Sequence, residues 1–119
     1  MFIFDFLLEY VLLKNELLLT AKLLMKNNID TNKRPWGYFV VLADEVDHKV
    51  KRIVVYPDQR LSLQKHLRRA EHWFILTGEG IVTLDGEQLN KKCGDSVEIP
   101  RGSVHRIENH GPSELSFIE

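Results

Sequence analysis

The second half of the chain contains side chains whose donor atoms suit a divalent transition metal: Gln64, His66, Glu71 and His105. Imidazole nitrogen and carboxylate oxygen bind zinc, iron, manganese or cobalt and leave coordination positions open for water or a substrate. Since strand residues two apart point the same way, Gln64 and His66 are expected on one face, and the same parity brings Arg60 to it. A lone strand histidine is usually a surface or hydrogen-bonded residue, so these residue types alone leave that alternative open.

The size and charge of the chain restrict the classes of protein to which it can belong. Its 119 residues suit one compact domain, and 44% hydrophobic residues argue against disorder. The charges of the 16 basic and 17 acidic residues nearly cancel, so the chain lacks the excess of positive charge that is typical of nucleic-acid-binding proteins. Cys93, the single cysteine, excludes an internal disulfide and a thiolate zinc cluster. A reducing cytoplasm is therefore the expected location.

Residues 2–25 are very apolar and raise the question of a membrane segment. Lys14 and Glu16 lie at the middle of this run, where each charge opposes insertion by about 2.5–3.5 kcal/mol. No basic residue precedes the run and no small-residue cleavage site follows it, so a signal peptide also fits poorly. The apolar side chains recur at helical spacing: Ile3, Phe6, Tyr10, Leu13, Leu17 and Leu24. The pattern predicts an amphipathic α-helix that covers a barrel face or pairs with another copy; alternatively, translation begins at Met25.

From Arg34 onward the sequence changes to short β-prone runs separated by turn residues. Asp85-Gly86, between two such runs, is typical of a type I′ hairpin because both central residues favour positive φ. The predicted strands are 38–43, 49–56, 61–66, 72–77, 81–84, 87–91, 96–99, 106–108 and 115–118. Their number and regular spacing predict an all-β sandwich or barrel over residues 34–119, preceded by a helix and a polar linker over residues 1–33.

The spacing of the candidate metal ligands resembles the two sequence motifs of the cupin superfamily. The residues that match are Gln64, His66, Glu71 and Gly78 in the first motif, and Gly94, Pro100, Gly102, His105 and Asn109 in the second. Asp58 stands where the first motif usually has a glycine, and Gln64 replaces its first histidine. The resemblance implies a jelly-roll barrel, here with an N-terminal amphipathic α-helix, and a divalent metal held by the four candidate ligands.

Three further segments narrow the resemblance to one family. They are Arg34-Pro35-Trp36-Gly37, residues 59–64 and Arg69-Ala70-Glu71-His72-Trp73. These segments are similar to the C-terminal cupin domain of type II mannose-6-phosphate isomerases, which are often fused to a mannose-1-phosphate guanylyltransferase. The resemblance covers residues 34–119 and implies the reversible conversion of mannose 6-phosphate to fructose 6-phosphate, for GDP-mannose and polysaccharide biosynthesis.

The resemblance also implies roles for the neighbouring side chains. Zinc is the first expected metal, with cobalt, manganese and iron as alternatives, and it would stabilise negative charge on the sugar oxygens. Arg60 and Arg69 are the candidate phosphate-binding residues, because a guanidinium offers paired donors. His72 is the candidate catalytic proton carrier, although its strand parity is opposite to that of Glu71 and a structural hydrogen bond is the alternative. Trp73 is expected to wall the pocket, and a core tryptophan is the equally good alternative.

Two departures from the family pattern keep other functions open. Leu67 and Arg68 occupy a step that is rich in histidine in the family, and the sequence ends at Glu119, before the family's usual Gly-rich turn and Tyr-Gly-Arg ending. The alternative function is therefore a non-catalytic cupin that binds a sugar phosphate or sugar nucleotide beside a separate guanylyltransferase. An oxygen-dependent dioxygenase is disfavoured, because iron oxygenases usually present two histidines and one carboxylate, whereas Gln64 stands in this site.

The expected partners are a small-molecule sugar phosphate and a second copy of the chain, with neither nucleic acid nor a membrane. Two apolar surfaces are candidates for the dimer contact. One is the stripe of the N-terminal helix, and the other is the run 53–56, which is apolar on both faces of its strand. The sequence therefore predicts a homodimer.

Overall fold

The computed structural model describes residues 2–27 and 31–119, with the side chains of residues 7–23 and 31–119. The chain divides into two compact units, Met1–Asp30 and Thr31–Glu119. The first contains one α-helix, α1 (Phe2–Asn27), as the sequence predicts. Its side chains from residue 7 to residue 23 are all exposed, including three of the predicted stripe: Tyr10, Leu13 and Leu17. The other stripe members, Ile3, Phe6 and Leu24, lie outside the described side chains.

No helix within the described residues combines the length and the apolar run that crossing a membrane requires. The charged residues Lys14 and Glu16 interrupt the apolar run of α1 near its middle.

The second unit is built from antiparallel strands, which are β1 (Thr31–Arg34), β2 (Gly37–Asp44), β3 (Lys49–Val55), β4 (Gln64–Lys65), β5 (Glu71–Thr77), β6 (Glu79–Leu84), β7 (Glu87–Lys92), β8 (Ser96–Ile99), β9 (Val104–Glu108) and β10 (Leu115–Ile118). Six of them form a sheet in the order β1-β2-β3-β10-β5-β8, and four form a second sheet in the order β4-β9-β6-β7. The two sheets form the jelly roll that the motifs imply.

The core consists of side chains that alternate along the strands of both sheets. In β5, Trp73 and Ile75 are at most 2% exposed, whereas their neighbours His72 and Phe74 face outward. The buried cluster contains Ile53, Val55, Leu61, Trp73, Ile75, Val82, Val97, Ile99, Ile107, Leu115 and Phe117. Because burial of each large apolar side chain stabilises the fold by about 1.5–3 kcal/mol, this cluster sets the register of the strands.

Two aspartates adopt the left-handed backbone conformation that their turns require. Asp85 and Gly86 have φ values of 48° and 84°, which confirms the predicted type I′ hairpin between β6 and β7. Asp58 has a φ of 62°, and its N–H donates to the Asn109 carbonyl at 2.9 Å. Aspartate tolerates this conformation better than most residues, which explains how Asp58 replaces the glycine of the first cupin motif.

The strand prediction is wrong at two segments. The linker expected up to Lys33 includes β1, which pairs with β2 through the two-residue turn Pro35-Trp36. The continuous strand expected over residues 61–66 is reduced to β4, and residues 61–63 lie outside any strand. Leu61 is buried while Leu63 is 53% exposed, so the two leucines do not share a face. Strand periodicity applies only while the backbone stays regularly extended, and here it does not.

The apolar run 53–56 is not a free surface. Ile53, Val54 and Val55 are each at most 4% exposed within this chain. Only Tyr56, at 39%, contributes exposed apolar surface. Both faces of this part of β3 are therefore covered, and the run does not supply the dimer surface expected from its sequence.

Candidate metal centre

Three elements bring the candidate ligands together at one end of the jelly roll. Gln64 in β4 lies directly opposite His105 in β9, so their side chains leave the sheet on the same face. Glu71 is the first residue of β5, in the other sheet. His66 follows β4, and the Gly102 N–H donates to the His66 carbonyl at 2.7 Å, which fixes the backbone next to this imidazole.

The donor atoms of three of these residues are close enough to share one ion. His66 Nε2 lies 3.2 Å from Glu71 Oε1, and His105 Nε2 lies 3.6 Å from Glu71 Oε2. The ligand atoms of all three residues are within 4.8 Å of one another. Tetrahedral nitrogen and oxygen ligands at about 2.1 Å from zinc are roughly 3.4 Å apart, and the two contacts to Glu71 bracket that separation.

The protonation of His105 provides a test of whether a metal fits this cluster. His105 is 2% exposed, and its Nδ1 is 2.9 Å from the Ser103 carbonyl, which can only accept a hydrogen bond. Nδ1 therefore carries the proton, and Nε2 presents its lone pair towards Glu71. Nε2 is buried and has no hydrogen-bond partner among the described residues. A buried lone pair facing a carboxylate is stabilised by a cation between them, so these residues fit a divalent metal.

The Glu71 carboxylate is oriented from the core side. The Trp73 indole donates to Glu71 Oε2 at 2.9 Å, and the Trp73 ring meets the His105 imidazole edge-on at 5.6 Å between centroids. Trp73 is 2% exposed and also packs on Phe117 at 5.0 Å. Trp73 is therefore a core residue that contacts both Glu71 and His105, and its hydrogen bond is of the kind that orients a carboxylate.

Arg69 lies against the candidate ligands. Its Nε donates to Glu71 Oε1 at 3.1 Å, and its Nη2 lies 3.0 Å from His66 Nε2. Burial, and after it the Arg69 guanidinium, lower the pKa of His66, while Glu71 acts in the opposite direction. The neutral imidazole, which is the form that ligates a metal, is thereby favoured.

Arg60 is not brought into the cluster. Its Nη1 lies 3.4 Å from Glu108 Oε1, and its side chain is 62% exposed. The irregular backbone at residues 61–63 breaks the parity that was expected to align Arg60 with Gln64. Glu108 is 7% exposed, and the Arg60 guanidinium balances its charge.

His72 is also outside the cluster. It follows Glu71 in β5, pairs with Glu98 across the sheet and is 60% exposed, with Nδ1 3.9 Å from Glu98 Oε1. Consecutive strand residues point to opposite faces, and no bulge at this position reverses that rule. The structure therefore places the His72 imidazole on the opposite face of β5 from Glu71, beside Glu98, as in the structural alternative given above.

Two ionisable residues beside the cluster were missed from the sequence. A cavity of about 560 Å³ next to Glu71 and Arg69 is also lined by Lys51 and Glu119. Glu119 shares strand parity with Phe117, which is fully buried, so the alternation of β10 is the sequence signal that could have found it. No sequence pattern around Lys51 connects this residue to the site.

Comparison with known sequences supports the family that the motifs suggest. Residues 24–119 match the family described as mannose-6-phosphate isomerase C-terminal. The mannose-1-phosphate guanylyltransferase of Escherichia coli K12 is 41% identical over 86 residues, which cover 72% of this chain and 18% of that protein. The alginate biosynthesis protein AlgA of Pseudomonas aeruginosa is 43% identical over 90 residues, with coverages of 72% and 18%. The chain thus spans about a fifth of the length of these relatives.

Solved structures with the same fold are more distant in sequence. A predicted oxalate decarboxylase from Thermotoga maritima superposes with a TM-score of 0.71 at 24% identity, over 77% of this chain and 90% of that one. An RmlC-like cupin from Shewanella frigidimarina gives a TM-score of 0.69 at 17% identity, over 77% and 83%. At these identities the likeness concerns the fold alone. Together with the match over residues 24–119, it shows that the chain belongs to the mannose-6-phosphate isomerase C-terminal family and has the cupin fold.

Proposed function

We propose that this chain is a metal-dependent aldose–ketose isomerase that interconverts mannose 6-phosphate and fructose 6-phosphate. In the cell it would serve GDP-mannose and polysaccharide biosynthesis in the cytoplasm. The observation that supports this most directly is the cluster of His66, Glu71 and His105 in a chain of this family. An aldose–ketose conversion needs stabilisation of negative charge on adjacent oxygens, and a divalent metal beside an open cavity is suited to that need.

The proposed ligands are Gln64, His66, Glu71 and His105, and zinc is the metal expected first. When bound, the metal would supply Lewis-acid stabilisation to the substrate oxygens. The chain's own residues hold the ligands in place, since Trp73 orients Glu71 and Ser103 sets the tautomer of His105. Arg69 lines the cavity with a 55% exposed side chain, which leaves it accessible to a sugar phosphate.

The zinc-loaded chain is expected to convert mannose 6-phosphate into fructose 6-phosphate, detected by coupling the product to NADPH formation. Treatment with a chelator should abolish turnover, and Zn²⁺, Co²⁺ or Mn²⁺ should restore it. Glu71→Gln removes the charged ligand and should lower turnover by at least about 100-fold. Glu98→Gln is the matched control, because Glu98 is 86% exposed on the outer face and should not affect the reaction.

Absence of turnover with all three metals would contradict the isomerase proposal. If such a chain still bound mannose 6-phosphate in calorimetry, the result would favour the non-catalytic binding function instead. The same titration with Glu71→Gln, compared with the outer-face control Glu98→Gln, would show whether binding depends on the cavity side of β5.

We also propose that the chain forms a homodimer through α1. Eight leucines of this helix are exposed: Leu7, Leu8, Leu12, Leu13, Leu17, Leu18, Leu19 and Leu23. Contiguous exposed apolar surface of this kind usually marks an association site. Light scattering of the full chain should therefore give twice the 13.9 kDa mass of one copy. Leu17→Glu, which places a charge within the apolar surface, should shift the mass towards one copy; a monomeric wild-type chain would contradict the proposal.

A further inference from the structure

Lys51 and Glu119 occupy fixed positions on the wall of the cavity beside the candidate metal ligands. Lys51 lies in β3, and Glu119 directly follows β10. The N–H of each residue donates to the carbonyl of the other, with both N···O distances at 2.9 Å. This reciprocal pairing extends the β3–β10 ladder by one step. It therefore holds both side chains on the rigid sheet rather than on a loop.

The Glu119 carboxylate is largely shielded from water and has a cation beside it. Its side chain is 16% exposed, and its Oε1 lies 3.9 Å from the Lys51 ammonium. Lys51 is held in turn over the Phe39 ring, with Nζ 4.9 Å from the ring centroid. The ammonium is thus anchored by an aromatic face on one side and remains available to the carboxylate on the other.

The proton affinity of Glu119 responds to the candidate metal site. Burial raises the pKa of Glu119, and the Glu71 carboxylate raises it further. Opposing effects come from Lys51, Arg69 and His105. Glu119 is therefore within electrostatic reach of two candidate ligands. A shielded carboxyl group with a raised pKa holds a proton more readily than an exposed one, which suits a group that accepts and then returns a proton.

The other ionisable groups that border the cavity are less suited to proton transfer. Asp47 is 86% exposed, and its Oδ1 is hydrogen-bonded to His48 Nδ1 at 2.7 Å. Glu45 is also exposed. His72 points towards Glu98. Glu71 is committed to the two histidines and Trp73. Among the described acidic residues lining this cavity, Glu119 is the one that is shielded, held on a strand and not engaged as a proposed ligand.

On the basis of the proposed isomerase function, we propose that Glu119 is the catalytic residue that carries the proton between C2 and C1 of the sugar phosphate, positioned by Lys51. Glu119 takes the proton as the C2–H bond of mannose 6-phosphate breaks. The bonding pair forms a C1=C2 double bond, and the C1 carbonyl electrons move to O1. The O2 proton then passes to O1, the C2=O bond forms, and Glu119 returns its proton to C1. The exchange is internal and needs no oxidant or reductant.

The test compares Glu119→Gln with Glu45→Gln in the full, zinc-loaded chain. Both variants change one carboxylate of the cavity wall to an isosteric amide, but Glu45 is exposed. Glu119→Gln should lower kcat at least about 100-fold with little change in KM for mannose 6-phosphate or in zinc content. In D₂O, proton NMR should show solvent deuterium entering the product of the wild type and of Glu45→Gln. The same exchange should be lost with Glu119→Gln.

A second variant keeps the test decisive if the amide disturbs folding. Glu119→Asp retains a carboxylate but shortens it, so its kcat should lie between those of the wild type and Glu119→Gln. Wild-type turnover in Glu119→Gln, or a loss that only follows its zinc content or melting temperature, would overturn the role of Glu119 alone. Absence of fructose 6-phosphate from the wild-type chain would overturn the proposed function, and this role with it.

Discussion

Replacing His105 with alanine is expected to lower the affinity of the chain for Zn²⁺ by at least about 100-fold. Loss of an outer-shell partner alone costs roughly 10–100-fold in metal affinity, and loss of a ligand should cost no less. His105 is suited to be a ligand because its Nδ1–H is directed at the Ser103 carbonyl and its Nε2 is buried beside Glu71. Titration against a competing chelator measures the change.

The matched control is His72→Ala, which removes an imidazole from the exposed face of the strand that carries Glu71. This variant should bind Zn²⁺ as the wild type does. Free zinc at 100 times Kd stabilises a one-site protein by about 2.7 kcal/mol, so the melting temperature of wild type and His72→Ala should rise with zinc. His105→Ala should show no such rise. Because His105 is buried, His66→Ala serves as a second ligand variant at a less buried position. Wild-type zinc affinity in both would exclude the proposed ligand set.

Replacing Gly37 with alanine is expected to destabilise the fold by more than about 4 kcal/mol, a cost reached only by severe local defects. A Cβ at this position would lie 1.9 Å from the Val54 carbonyl oxygen, and the obstruction is backbone rather than a movable side chain. Gly37 also has a φ of 150°, which side chains of L-residues rarely allow. Since small domains have about 5–15 kcal/mol of total stability, most of it would be lost. Urea unfolding followed by circular dichroism measures the effect.

Gly86→Ala separates the steric contact from the backbone conformation. Gly86 has a φ of 84°, but no described atom lies within 4 Å of a Cβ built there. The expected cost is the conformational term alone, about 1–2 kcal/mol. Equal losses in the two variants would show that contact with Val54 is not the reason for glycine in the Arg34-Pro35-Trp36-Gly37 segment. A larger loss of unfolding free energy in Gly37→Ala than in Gly86→Ala would explain why this segment contains a glycine: Gly37 allows β2 to lie close against β3.

The parts of the site that the sequence predicted are those set by local rules. The turn at Asp85-Gly86 depends on the φ preferences of two adjacent residues, and it is present as expected. Trp73 and Glu71 are two residues apart in one strand, so strand alternation places them on the same face. The donor types of His66, Glu71 and His105 by themselves indicate a metal, since imidazole and carboxylate are typical transition-metal ligands.

The predictions that failed depended on a regular backbone or on a partner distant in sequence. The prediction for Arg60 assumed that it lies on the same strand as Gln64 and points the same way. Residues 61–63 are not in a strand and Leu61 is buried in the core, so the alternation does not extend from Gln64 to Arg60. β1 has no hydrophobic residue to mark it, and it forms because the turn at Pro35-Trp36 folds the chain back so that β1 pairs with β2. In each case a tertiary contact decided a conformation that local pattern left undetermined.

The amino-acid sequence by itself determined the family, the all-β class and the donor atoms of the candidate metal centre, because motif spacing and residue chemistry are properties of the chain. Only the tertiary structure decided which other charged groups share the cavity. Glu119 and Lys51 are 68 positions apart in a chain of 119, yet they pair directly with each other across neighbouring strands of one sheet. The pairing of β3 with β10 is set by burial of both strands in a common core, and no local periodicity records which strands will meet.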